Sequence, residues 1–130
     1  MLSEISLDGN TTKNNMRGGI RVSQGDVSNV VSLSGITDNI ATDNAEDGVS
    51  IRAGVPGAGA TPVSGNQSNS NGQDGIDINS PGYSLSNNSA SRNISGDGIN
   101  AVVGNSNGGG NSGRRNGACN QPAFCFNTPL

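Results

Sequence analysis

The sequence has no histidine and no tryptophan, and its only aromatic residues are Tyr83, Phe124 and Phe126. Without histidine, the commonest neutral-pH general base and a principal zinc ligand are both missing. With so few aromatics there is no platform for stacking bases or sugar rings. Basic residues number 7 against 10 acids, with no run of either sign, so no basic patch stands ready for a phosphate backbone and nucleic-acid binding is not expected. No apolar stretch approaches the length of a membrane span. The segment from Met1 to Asp8 has acids where a signal peptide needs a basic and then an apolar run, so the expectation is that any export signal lies upstream.

What the chain has in excess is glycine, asparagine and serine. Hydrophobic residues make up only 30% of 130 positions, too few for a conventional three-dimensional core. A solenoid escapes that limit, because each turn needs only one or two inward apolar residues per strand and buries them against its neighbours.

A repeat supports that escape. Asparagines five apart occur as Asn10 and Asn15, Asn39 and Asn44, Asn66 and Asn71, and Asn88 and Asn93. Glycine follows at Gly19, Gly48, Gly75 and, one residue late, Gly98. Next come apolar pairs at alternate positions: Ile20 and Val22, Val49 and Ile51, Ile76 and Ile78, Ile99 and Ala101. Three residues before each first asparagine stands Leu7, Ile36, Val63 or Leu85, and between the asparagines stands Thr12, Ala41, Ser68 or Ala90. Alternation of this kind belongs to strands, and a fixed period belongs to stacked repeats.

The expected architecture is all-β: a right-handed parallel β-helix of about four turns, with two short strands per turn meeting at a corner that carries the asparagine pair. Asparagine tolerates the left-handed backbone of a corner, and its amide both donates and accepts. Turns about 4.8 Å apart would let equivalent asparagines bond up and down a ladder. The repeat glycine is expected where a Cβ has no room. The longer inter-repeat stretches leave space for a third strand, with Val30, Val31 and Leu33 in the first, or for a loop such as 53–62. Val102 stands to Asn105 as Leu85 does to Asn88, but the register breaks there. The reading therefore divides residues 1–103, the repeats, from residues 104–130, a Gly/Asn-rich segment winding down into a cap. Within that tail Cys119 and Cys125 are read as a disulfide, which fits a compartment outside the reducing cytosol.

The pattern Asn-x-Ala-x-x-Asn (Ser68 in place of Ala in one copy) followed by Asp-Gly-Ile or Asp-Gly-Val, seen from Asn39 to Val49, Asn66 to Ile76 and Asn88 to Ile99, resembles the right-handed parallel β-helix proteins of the pectate-lyase-like superfamily. The tail, with Gly110 and Asn111 before the two cysteines, is similar to the closing segment of many such proteins. The resemblance implies the fold. It implies no one activity, since members include lyases, hydrolases, epimerases and adhesins, and no catalytic motif is carried over.

Two surfaces stand out. Asp47, Asp74 and Asp97 each precede the repeat glycine, and stacked carboxylates about 5 Å apart repel unless protonated or bridged. Asp-Gly is also ordinary turn chemistry. That column would suit calcium or supply a carboxylate pair for glycoside hydrolysis, and no cofactor is otherwise called for. The outward positions of the glycine-led strands form the second surface, with Arg21, Ser50, Asp77 and Asn100 in one row and Ser23, Arg52, Asn79 and Val102 in the next. On it, Arg52 and Asp77 are the weak candidates for a base and its electrostatic partner. The residues together favour a non-catalytic module of an exported, extracellular or cell-surface protein, structural or binding a polysaccharide or surface glycan, with end-to-end self-association through its open strand edges. The competing expectation is a fragment of a carbohydrate-active β-helix enzyme.

Overall fold

A computed structural model describes residues 4–23, 32–52, 55–56 and 60–119. Among them every element is a strand and every sheet is parallel. The strands wind into a β-solenoid with three faces. The first face is the ladder of β1 (Glu4–Asp8), β4 (Ser32–Thr37), β8 (Thr61–Ser64), β11 (Tyr83–Ser86) and β14 (Ser106–Gly109), with the short β7 (Val55–Pro56) also on β4. The second holds β2 (Thr11–Lys13), β5 (Ile40–Thr42), β9 (Gln67–Asn69) and β12 (Ser89–Ser91). The third holds β3 (Ile20–Val22), β6 (Val49–Ile51), β10 (Ile76–Ile78) and β13 (Ile99–Ala101). Each rung thus has three strands where the repeat pattern suggested two. The stretch between paired asparagines, though only three residues long, is a strand in its own right.

The register follows the repeat. Ile20, Val49, Ile76 and Ile99 stack in one inward row, and Val22, Ile51, Ile78 and Ala101 in the next. Ala41, Ser68 and Ala90 line the second face, and Ile36, Val63 and Leu85 the first. The small residues matter because the second face lies close to the others, and a larger side chain would not fit. Leu33, expected in a separate third strand, instead shares β4 with Ile36 and is fully buried, as is Tyr83 in β11; Val30 and Val31 lie outside the described residues. Truncating one of these side chains, as in Ile76→Ala, is expected to cost about 2–5 kcal/mol.

The corners explain the asparagines. Asn66 shows the scheme: its Nδ2 donates to Asn88 Oδ1 at 2.9 Å and to the Ile36 carbonyl at 2.9 Å. Its Oδ1 accepts from the backbone N–H of Asn39 at 3.0 Å and from Asn39 Nδ2 at 2.9 Å. Every hydrogen-bonding site of a fully buried amide is thereby filled. The left-handed backbone sits one residue earlier than expected. Asp38 and Asn87 before the first ladder, and Asn14, Asp43, Ser70, Arg92 and Arg115 before the second, have φ between 54° and 60°. Those residues turn the chain. The ladder asparagine then keeps ordinary backbone, with its N–H and its amide both aimed along the coil axis.

The repeat glycines mark a close approach. A Cβ at Gly75 would sit 2.5 Å from the Gly98 carbonyl oxygen and 2.6 Å from Asn93 Nδ2. Pairing also continues beyond residue 103. Strand β14 runs beside β11 with Leu85 opposite Asn107, so Asn107, not Val102, is the counterpart of Leu85. Asn105 marks a different corner, where its Oδ1 accepts the Tyr83 N–H at 2.9 Å. Asn111 and Asn116 then extend the two ladders by one rung each, bonding Asn88 and Asn93 at 2.9 Å. Asn111 and Asn116 are five apart, the spacing of the four earlier pairs. That signal was present in the sequence and was hidden because Gly108, not an apolar residue, stands three before Asn111.

Candidate functional site

The outer side of the third face carries a polar network of its own, apart from the asparagine ladders. Arg21, Ser50, Asp77 and Asn100 lie in register across β3, β6, β10 and β13, as the strand pattern required. Arg52 and Asn79 follow β6 and β10 by one residue. Asp77 is the hub. Its Oδ2 accepts from Asn79 Nδ2 at 2.7 Å and from Ser50 Oγ at 3.5 Å, and its Oδ1 accepts from Asn100 Nδ2 at 3.1 Å. Although these positions point away from the apolar core, Ser50 and Asp77 are only 3% and 4% exposed.

Arg52 does not pair directly with Asp77. Its Nη2 meets Asp47 Oδ2 at 3.2 Å, and its Nε donates to Ser50 Oγ at 3.2 Å. The serine hydroxyl relays between guanidinium and Asp77, which places the two weak catalytic candidates in one network without a salt bridge between them.

The column Asp47, Asp74 and Asp97 has a structural task. Asp47 Oδ1 accepts the Asp74 backbone N–H at 3.1 Å, and Asp74 Oδ1 accepts that of Asp97 at 2.6 Å. The extra residue in the fourth repeat, Gly96, lies where Asp74 leaves no space for a Cβ. The group of carboxylates close enough to share one ion is Asp47, Asp74 and Asp77, with ligand oxygens within 4.8 Å of one another; Asp97 is not among them. Three oxygens are about half of what calcium takes. The strand pattern sets Asp77 in the outward row with Arg21 and Ser50, and the coil brings it against Asp47 and Asp74 of the acid column.

Crowding and burial set the protonation of this trio. Burial is the largest cause lifting Asp77 to about 6, reinforced by the charges of Asp47 and Asp74 and opposed by Arg52 and the Asn79 hydrogen bond. Burial also raises Asp74, against the hydrogen bonds it accepts from the Asp97 N–H and from Asn100.

Tyr83, the one described aromatic, is 1% exposed and belongs to the core, so it offers no stacking surface to a ligand. Phe124, Phe126 and Cys125 lie outside the described residues, and the Cys119–Cys125 pairing with them. Among the described residues no helix is long and apolar enough to cross a membrane. No protein family, no curated protein and no solved structure matches this chain.

Proposed function

We propose that this chain is a non-catalytic repeat module: a right-handed β-solenoid rod of the kind seen in pectate-lyase-like proteins, belonging to an exported protein and offering its third face to a glycan. One observation carries the reading. The functional-looking groups of that face are consumed in holding it, with Asp47 and Asp74 capping the backbone of the next rung and Arg52 neutralising Asp47. The result is a rigid row of amides, hydroxyls and charges repeating at the rung spacing. Such a row suits a polymer of hydroxyl groups, because its donors and acceptors are fixed before binding and little ordering entropy remains to be lost. A disulfide between Cys119 and Cys125 fits the exported setting of this reading. End-to-end contact between rods belongs to it too.

The test is affinity electrophoresis and calorimetry of the full chain against a panel of neutral and acidic polysaccharides, with products scored for new reducing ends and unsaturated sugars. Retention without turnover, weakened by Asn100→Ala or Arg21→Ala, supports the module. No retention of any polymer refutes the glycan reading.

A second reading has one specific observation in its favour. A carboxyl with a pKa of about 6, packed within 4.8 Å of two others, has the electrostatic character of a glycosidase general acid. Turnover in the same panel that is lost in Asp77→Asn decides for the enzyme fragment.

A further inference from the structure

The corner between the second and third faces carries a surface whose parts are scattered in sequence. The residues just after the second-ladder asparagines are Met16, Ala45, Gly72 and Ile94, one per rung. Met16 is 94% exposed and Ile94 74% exposed. Two large apolar side chains therefore bracket two small residues, and between them lies a groove of about 530 Å³ bordered also by Asp43 and Ser70. Exposed apolar groups gathered around a groove point to a contact, since scattered ones need no explanation but clustered ones do.

The neighbouring column gives that contact a direction. Asn14, Asp43, Ser70, Arg92 and Arg115 occupy successive rungs, all in the left-handed backbone. Sharing one backbone conformation, their side chains leave the corner the same way, about 4.8 Å apart along the coil. Arg114 joins them at the basic end, its carbonyl accepting the Arg92 N–H at 2.9 Å. Arg92, Arg114 and Arg115 have no ion pair among the described residues, and Asp43 has only Lys13 at 3.8 Å, both side chains being well exposed. Along this corner Asp43 and Glu46 make the second rung acidic and Arg92, Arg114 and Arg115 make the fourth and fifth basic, while Lys13 and Arg17 stand at the first.

We infer that this corner is a self-complementary contact between two antiparallel copies of the chain. Ile94 of each copy enters the groove of the other, over Ala45 and Gly72, and Arg92 and Arg115 of each face Asp43 of the other. A two-fold contact requires one patch to hold both halves of every interaction. This corner does so, with knob and groove, base and acid, along a single line. The parallel arrangement would set arginine against arginine and is disfavoured for that reason. The contact is short, in the range of transient interfaces, so it forms at high concentration and weakens with salt.

Sedimentation velocity of the full chain between about 10 µM and about 1 mM tests this, the span covering interactions of roughly 4 to 7 kcal/mol. The expected result is a reversible dimer. Arg92→Glu and Asp43→Arg should each weaken it about tenfold or more, while the combined Arg92→Glu, Asp43→Arg protein regains dimerisation to within about threefold, its pairs re-formed with reversed sign. Ile94→Asp should leave monomer throughout. All three positions are exposed, and arginine already occupies this backbone conformation at Arg92 and Arg115, so the variants should melt with the parent. A parent that stays monomeric over the whole range overturns the inference. So does a dimer indifferent to Ile94→Asp, or a double reversal no tighter than the single ones.

Discussion

The asparagine corners and the aspartate column solve the same problem with different chemistry. Both run along the coil axis with one polar residue per rung, and both satisfy backbone N–H groups of an adjacent rung. An amide is neutral and carries donors and acceptors together, so Asn39, Asn66, Asn88 and Asn111 stack with every hydrogen bond made and no charge accumulated. A carboxylate only accepts, and each added rung adds a charge. The aspartate column therefore needs Arg52 against Asp47 and an amide from Asn100 on Asp74, and it raises the pKa of the neighbouring Asp77 to about 6. A ladder of amides can lengthen indefinitely, whereas a ladder of acids stops after a few rungs.

The largest effect should come from giving one ladder the chemistry of the other. Asn66→Asp removes both donations of the amide and brings a carboxylate against the Asn88 Oδ1 and the Ile36 carbonyl in a fully buried place. It should cost about 3–5 kcal/mol, or prevent folding, in chemical denaturation followed by circular dichroism.

The reverse exchange should stabilise. Asp77 has a folded pKa of about 6, above its ordinary value of 3.8, so the fold binds a proton that the unfolded chain releases. Its contribution is full below pH 3.8 and is lost as pH rises through 6, which makes the protein about 1–1.5 kcal/mol less stable at pH 7.5 than at pH 5 on this account. Asp74, also raised, acts in the same direction. Asp77→Asn should flatten most of that dependence, with its gain at pH 7.5 reduced by the acceptor that Asn79 or Asn100 loses, as urea titrations at several pH values would show.

Smaller again is Arg52→Ala. It leaves the buried Asp47 carboxylate without its cation, at a cost of about 1 kcal/mol at neutral pH, reduced because the guanidinium is partly in solvent. Removing that positive charge should also push the Asp77 titration upward, which the carboxyl carbon shift of Asp77 in NMR would report.

Much of this molecule was legible as a sequence. A period of paired asparagines, one glycine and alternating apolar residues is enough to specify stacked parallel strands, because each position has only one place in a rung where its chemistry fits. Leu85 and Ala90 fell into their rows for that reason. The three-strand rung was harder to see, since Gln67, Ser68 and Asn69 form a strand whose single inward residue gives no alternation to read. Asn111 and Asn116 were obscured because Gly108 stands three residues before Asn111, where every earlier pair is announced by an apolar residue. The site was legible only as rows. Asp77 reads as one outward residue among several, and its approach to Asp47 and Asp74 depends on how far the outward side chains lean across the corner, a distance that no spacing encodes. The arginine cluster was hidden in the same way, because Arg92 and Arg115 are far apart in the chain and one rung apart in space.

The claim beneath all of this is that two continuous amide ladders hold the coil from its first described rung into the tail. Hydrogen exchange of the asparagine side-chain NH₂ groups, read residue by residue in ¹⁵N spectra, tests it most directly. The account expects Asn39, Asn66, Asn88, Asn44, Asn71 and Asn93 to exchange orders of magnitude more slowly than the exposed Asn14, with Asn111 and Asn116 protected as well. Ladder amides exchanging as fast as Asn14 in a folded protein would contradict it.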